Sequence, residues 1–123
     1  MEGVLSQVTV SLSVPALVRP SETLRLVCKV HGAAITDSSK IWAEDFIRQF
    51  SGNRLEFLAH INYNEGKAFN PSLQSRLSLS RDTAKNEAYL DFTAMKSEDT
   101  AMYYCVKDTV FNEGCHQFTL VGK

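Results

Sequence analysis

The chain has 123 residues, close to the commonest size of a single domain and long enough to bury a hydrophobic core. Its 13 basic and 14 acidic residues nearly balance, and the net charge of −1 argues against nucleic acid or an anionic membrane as the main partner. No apolar run approaches the ~18 to 20 residues of a membrane-spanning helix, and Gly and Pro are too few for a low-complexity chain. One ordinary globular domain is therefore predicted.

Short runs of alternating apolar and polar residues follow one another along the chain, as in half-buried strands. The inward positions of the predicted strands are Leu24, Leu26, Cys28, Val30, Leu77, Leu79, Ala88, Leu90, Phe92, Ala101, Tyr103 and Cys105. Turn-forming residues separate these runs, and the best helical candidate, residues 93–100, is at most one turn long. The pattern favours an antiparallel sandwich with no internal repeat or domain boundary.

Three cysteines leave several states open. Cys28 and Cys105 fall on inward faces of strands remote in sequence, as a bridge between two sheets requires, while Cys115 is left over. In a cytosolic chain all three could be inert buried thiols, whereas in a secreted chain an odd count suggests one bridge and a spare cysteine.

The string EDTAMYYC at residues 98–105 resembles the end of strand F in an immunoglobulin variable domain, with Tyr103 as the tyrosine of the corner. Further matching segments are residues 17–24 with Cys28, 46–49, 55–57, 69–76 and 80–86. Together they resemble an antibody heavy-chain variable domain over residues 7–121.

This resemblance implies an all-β fold, an immunoglobulin V-type sandwich of two antiparallel sheets in Greek-key order with one inter-sheet disulfide, Cys28–Cys105. Residues 1–6 resemble the end of a leader sequence plus an initiator Met, so residues 7–123 are expected to form the variable-type domain. The family also implies an extracellular location, either secreted or in the ectodomain of a cell-surface receptor. Arg76 and Asp99 match an ion pair that closes the bottom of the sandwich, with Arg48 and Glu56 nearby.

The core tryptophan departs from the family pattern, because Phe46 stands immediately before the Ile-Arg-Gln string where the family has Trp. Trp42 is the other candidate for this position. If Trp42 filled the core, alternation would also turn Glu44 inward, and an uncompensated buried carboxylate costs several kcal/mol. Phe46 is therefore favoured as the core residue, and Trp42 is expected to end the first loop, where it either packs the loop on the sheet or contacts ligand.

The sheet face that pairs with another variable domain is also atypical. The resemblance places seven residues on this face: Ile47, Gln49, Arg54, Leu55, Phe57, Tyr104 and Cys115. Arg54 replaces a small Gly, and Cys115 takes the place of a partner-binding Trp. His116 and Phe118 replace two glycines that make a bulge in the last strand, which puts that bulge in doubt. Pairing with another variable domain and working alone, as in camelid single-domain heavy chains, both stay open.

The resemblance implies antigen recognition by three loops, at residues 33–44, 62–67 and 107–114. Their candidate contact residues are Asp37, Ser38, Ser39, Lys40, Trp42, Asn62, Tyr63, Asn64, Glu65, Asp108, Val110, Phe111, Asn112 and Glu113. The aromatic anchors are expected to be Trp42, Tyr63 and Phe111, and a short third loop favours a flat or shallow surface. The domain would belong to an antibody or to a T-cell-receptor-like antigen receptor of adaptive immunity.

Two other functions are alternatives to antigen recognition. An invariant surrogate or co-receptor V-type domain would bind another immunoglobulin domain through its face. A thiol enzyme would use Cys115, but His116 projects to the opposite strand face and no third orienting group is evident. Zinc lacks ligands once Cys28 and Cys105 are bridged. We therefore predict a non-enzymatic domain without cofactor or metal, with Cys115 free or bridged to another molecule.

Overall fold

Two antiparallel sheets face each other in the computed structural model, which describes residues 8–15, 17–112 and 115–122, with the backbone alone from residue 110 onward. The strands are β1 (Thr9–Ser13), β2 (Leu24–His31), β3 (Ala43–Phe50), β4 (Arg54–Asn62), β5 (Lys67–Phe69), β6 (Leu77–Asp82), β7 (Glu87–Phe92), β8 (Met102–Asn112) and β9 (Cys115–Gly122). Short 3-10 turns occupy Gln74–Arg76 and Ser97–Asp99, the second within the predicted helical candidate. The described residues include no helix long and apolar enough to cross a membrane.

One sheet has the strand order β1-β2-β7-β6 and the other β5-β4-β3-β8-β9. Strands remote in sequence therefore lie side by side, as when Cys28 pairs with Ala88 and Phe46 with Cys105. The predicted all-β V-type sandwich of two antiparallel sheets is confirmed.

The core fills the space between the sheets with the inward residues of the alternating runs. In β2 the positions that the sequence assigned to the inside, including Leu26 and Val30, are buried, and their neighbours are exposed or half-buried. Burying a large aliphatic side chain stabilises the fold by about 1.5–3 kcal/mol. Cys28 and Cys105 are bridged in the middle of this core, with their Cα atoms 6.0 Å apart.

Phe46, not Trp42, fills the core position, as the sequence predicted. Phe46 is fully buried beside the disulfide, whereas Trp42 is half-buried before β3 begins. The supporting argument about Glu44 was wrong, because Glu44 is also buried, with only 1% of its surface exposed. Residues 44 and 46 are two apart in one strand and share its inward face, so placing Phe46 inside also turns Glu44 inside.

A charged network closes the bottom of the sandwich. The predicted ion pair joins Arg76 Nη2 to Asp99 Oδ2 at 2.6 Å, and Arg48 contacts Asp99 at 3.0 Å and Glu56 at 2.7 Å. Although burial acts to raise the pKa of Asp99, hydrogen bonds from the two guanidinium groups hold that pKa below its usual value. Tyr103 donates its hydroxyl hydrogen bond to the Asp99 carbonyl at 2.6 Å, as expected of the tyrosine corner.

Two loop boundaries differ from the sequence interpretation. β3 begins at Ala43, so Glu44 belongs to a strand instead of the first loop. β8 continues to Asn112, so most of the expected third loop from Lys107 is strand that pairs with β9. The pairing stays in register from Tyr104 to Val110 and shifts once between Val110 and Asn112. The continuing ladder explains the error, since backbone pairing extends the strand regardless of side-chain type.

Candidate functional site

Three connections meet at one end of the five-stranded sheet. Ala43 at the start of β3 pairs with Asn62 at the end of β4 and with Asp108 in β8. Three segments therefore leave the sheet next to one another: the connection before β3, the β4–β5 turn and the β8–β9 hairpin. The tip of that hairpin, including the candidate Glu113, lies outside the described residues, as do residues 1–6.

Trp42 joins the first two connections to strand β8 through its backbone and its ring. Its backbone N–H donates to the Asp108 carbonyl at 2.7 Å, and its carbonyl accepts from the Tyr63 N–H at 2.8 Å. The indole and the Tyr63 ring are also in contact, with centroids 4.7 Å apart and planes inclined by 56°. Aromatic pairs at this separation add about 0.5–1.5 kcal/mol beyond the area that they bury. Trp42 and Tyr63 thus form a single aromatic surface across the first two connections.

The first connection is ordered by Asp37. Its side chain accepts hydrogen bonds from the Ser39 hydroxyl at 2.6 Å and the Ser39 N–H at 3.0 Å, and these bonds lower the pKa of Asp37. Ser38 is half-buried and Lys40 is exposed. Ile41 is completely buried and fixes the end of the segment to the core. The connection therefore presents polar groups in a defined conformation.

Asn86, which the sequence interpretation did not name as a site residue, holds the start of the same connection. Its amide donates to the Ala33 carbonyl at 3.0 Å and accepts from the Ile35 N–H at 3.1 Å. Asn86 has φ of 57°, a left-handed conformation that Asn adopts more readily than most residues. A single sequence shows the turn but not this contact, because the two segments are 51 residues or more apart.

The second connection is a tight turn built by Asn62. The Asn62 side-chain oxygen accepts from the N–H groups of Asn64 at 3.1 Å and Gly66 at 2.8 Å. A Cβ on Gly66 would lie 2.7 Å from the Asn62 amide nitrogen, so a side chain there would push the turn apart. Asn64 and Glu65 are exposed at its tip.

Arg81, in β6 of the opposite sheet, supports this turn from below and was missed by the sequence interpretation. Its guanidinium donates to the Asn62 carbonyl at 3.2 Å and to the Tyr63 carbonyl at 2.8 Å. The Glu65 carboxylate lies 3.9 Å from the same group. Nothing in the alternation of β6 marks Arg81 as a loop support, since the contact crosses between sheets.

Acidic side chains lie beneath the three connections. Burial raises the pKa of Glu44 to about 8, against the opposing attraction of Arg81. Asp108 is 3% exposed, so its side chain supports the surface from within instead of presenting itself to solvent. His60 Nδ1 and Asp45 Oδ1 are 2.6 Å apart, and this hydrogen bond raises the pKa of His60.

Exposed apolar side chains lie on the outer face of the five-stranded sheet. Leu55 is 56% exposed and Phe57 38% exposed, beside the half-buried Ile47. These residues belong to the pairing face that the sequence resemblance assigned. An exposed apolar set on one sheet face is a candidate contact surface for another protein.

Polar residues on the same face bind one another. The Gln49 amide donates to Asn53 at 3.1 Å and accepts from the Tyr104 hydroxyl at 3.1 Å. The Arg54 guanidinium lies 4.2 Å from the centre of the Phe50 ring, which keeps it against the edge of the face. The side chain of Cys115 lies outside the described residues, as do those of Val110, Phe111 and Asn112.

Curated relatives cover almost the whole chain, although no protein-family model matches it. The chain is 45% identical to the Ig heavy chain V region MOPC 315 of Mus musculus over 121 residues, 98% of this chain and 84% of that protein. It is 43% identical to the mouse Immunoglobulin heavy variable 3-5, covering 85% of this chain and 88% of the relative. It is 48% identical to the mouse Ig heavy chain V region 36-60, covering 80% of this chain and 84% of the relative.

Proposed function

The chain belongs to the family of immunoglobulin heavy-chain variable regions and is an antigen-recognition domain, and we propose that its antigen-binding surface is centred on Trp42 and Tyr63. The surface comprises the connection before β3, the β4–β5 turn and the β8–β9 hairpin. Its members are the candidate residues named from the sequence, with Asp108 beneath them as a support.

The observation that carries this proposal is the junction at Trp42. One residue bonds the backbone of the β4–β5 turn and of β8, and its ring contacts the tilted ring of Tyr63, so the two aromatic rings are held before any antigen arrives. Preorganised aromatic side chains supply large contact area at low entropic cost, while adaptable polar groups supply hydrogen bonds. Asp37, Ser39 and Asn64 supply such polar groups around the rings.

The test begins with a binding screen of the domain against an unbiased array of proteins, peptides and glycans. The antigens that it binds are then used for affinity measurements. We expect Trp42→Ala and Tyr63→Ala to weaken binding at least about tenfold, as truncation of a central aromatic anchor does. Ser97→Ala, at the opposite end of the sandwich, is the matched control and should leave affinity within about twofold. An affinity that is unchanged by both aromatic substitutions but falls with Ser97→Ala would overturn the proposed location.

We also propose that the exposed apolar face pairs with a second variable domain. Heavy-chain variable domains usually pair with a light-chain variable domain, and Leu55 and Phe57 offer an apolar surface for such a contact. Substituting Leu55→Asp should abolish co-elution with a light-chain variable domain because it places a charge in the interface core. Leu17→Asp is the control, because it places the same charge on an apolar residue that is 81% exposed in the connection between β1 and β2, and it should leave co-elution unchanged. A wild type that does not co-elute with the light-chain domain would support a domain that works alone, and equal co-elution of wild type and Leu55→Asp would overturn the location of the pairing face.

The family also supports an extracellular location and a non-enzymatic role. Antibody variable domains are secreted or displayed on cell surfaces, and we place this domain outside the cell, in an antibody or in a receptor of the same kind. The relatives do not favour the invariant surrogate or co-receptor alternative. Antibody variable domains bind without turnover, so we propose a non-enzymatic role in which Cys115 is free or bridged to another molecule.

A further inference from the structure

We propose that Glu44 is a positioning residue of the antigen-binding surface, whose gain or loss of a proton decides how firmly Arg81 holds the β4–β5 turn. The functional meaning of this inference rests on the proposed location of that surface. Its test below needs no antigen, so its failure would leave the proposed function untouched.

Two buried polar atoms carry the inference. Glu44 Oε1 and Arg81 Nε are both buried and have no hydrogen-bond partner among the described residues. The two side chains come from opposite sheets and interact electrostatically in the interior beneath the first two connections. Leaving a buried polar atom without a hydrogen bond is destabilising, so two such atoms on interacting side chains point to a requirement other than stability.

The remaining nitrogens of Arg81 are committed to the turn. Nη1 donates to the Asn62 carbonyl and Nη2 to the Tyr63 carbonyl, at 3.2 and 2.8 Å. Tyr63 in turn contacts the Trp42 ring. A change in the position of the guanidinium therefore moves Tyr63 and alters its contact with Trp42 at the centre of the surface.

Several other ionisable groups surround Glu44. Asp45 on the same strand and Asp108 in β8 favour its protonated form, whereas His60 in β4 and Arg81 in β6 favour its charged form. Lys107, its pairing partner in β8, directs its amine to the Val8 carbonyl at 2.7 Å. Burial acts more strongly than any of these groups and keeps the carboxyl protonated at neutral pH, with a pKa of about 8.

The two protonation states make different demands on Arg81. A protonated, neutral Glu44 leaves the guanidinium to the two carbonyls of the turn. Loss of the proton to solvent leaves a carboxylate in a low-dielectric interior, where attraction to a guanidinium is strong. The free Nε then turns toward Glu44, the bonds to the carbonyls lengthen, and Tyr63 shifts against Trp42. The surface thus keeps the arrangement in which Arg81 bonds both carbonyls of the turn on the acid side of the transition.

Trp42 is the single tryptophan of the chain, so its fluorescence reports on this site alone. We expect the wild-type emission to change in one step with a midpoint near pH 8 in a titration across the neutral and mildly alkaline range. Glu44→Gln, which keeps the shape but cannot ionise, should lose that step completely. Glu65→Gln, which removes the exposed carboxylate nearest to Arg81, should retain it.

Two further measurements separate this effect from neighbouring titrations and from misfolding. His60→Gln removes the nearby imidazole and should also retain the step. In the unmodified protein, carboxyl carbon NMR of labelled glutamates should show one group titrating near pH 8. A step that survives Glu44→Gln, a wild type without any step, or glutamates that all titrate near their ordinary pKa of 4.5 would overturn the inference.

Discussion

Replacing Glu44 by Gln should change how the stability of the domain depends on pH. Burial raises the pKa of this carboxyl from 4.5 to about 8, so the folded state binds the proton more tightly than the unfolded state. The contribution of this proton to stability is complete below pH 4.5 and is lost as pH rises to about 8. Rising pH therefore destabilises the wild type through Glu44, opposite to the usual behaviour of an ion-paired carboxylate.

The magnitude follows from the two pKa values. Their difference, at about 1.36 kcal/mol for each pKa unit, corresponds to a loss of stability relative to acid pH of about 5 kcal/mol well above pH 8 and about 3 kcal/mol near pH 7. Glu44 is 1% exposed, so solvent screening reduces this figure little. Between about pH 5 and about pH 8 the wild type should lose roughly 3 kcal/mol more stability than Glu44→Gln.

Urea denaturation of both proteins with the disulfide intact, followed at several pH values, measures this difference. The buried amide of the variant adds a constant that does not depend on pH. His60 titrates in both proteins, and Glu44 is the weakest of the groups that raise its pKa, so the difference between the two proteins reports mainly on Glu44. Glu65→Gln, an exposed substitution, serves as the control and should follow the wild type. Parallel curves for the wild type and Glu44→Gln would refute the reasoning, because they would mean that Glu44 titrates alike in both states.

Three other substitutions test the architecture by urea denaturation. Asp99→Asn should cost about 3–5 kcal/mol because it leaves two guanidinium groups without their buried carboxylate, and a loss below about 1 kcal/mol would contradict this. Phe46→Ala should cost about 3–5 kcal/mol by opening a core cavity, against less than about 1.5 kcal/mol for the partly exposed Phe57→Ala, so equal losses would argue against the core assignment. Replacing both Cys28 and Cys105 by Ala should cost about 4 kcal/mol, since the bridge closes a loop of sequence separation 77, and an unchanged urea midpoint would contradict this.

Alternation along the chain was sufficient to predict the sandwich, because a strand with one buried face must repeat apolar residues with period two. It assigned Leu26, Cys28 and Phe92 to the interior, and all three are fully buried. The same reasoning erred at Glu44, where it assumed that a carboxylate would not occupy an inward position. Alternation along the strand decides which face a residue occupies, whatever its chemistry. A carboxyl group can be buried at an inward position if it stays protonated.

The boundaries of the connections were less predictable than the strands. Lys107 and Asp108 are polar and look like loop residues, yet both lie in β8 because β9 pairs with that stretch. The candidate surface itself depends on contacts that no sequence pattern shows, such as those of Arg81 with the β4–β5 turn. These contacts join residues 18 and 19 positions apart and cross from one sheet to the other.

Local periodicity in the sequence was enough to predict the fold class, and motifs within single strands carried the resemblance to heavy-chain variable domains, which in turn implied the pairing of Cys28 with Cys105. The contacts of Trp42 with Tyr63 and β8, and the electrostatic interaction of Glu44 with Arg81 between the sheets, became visible only in the folded structure. Such placements arise when two sheets pack, since packing brings together side chains whose separation along the chain carries no signal.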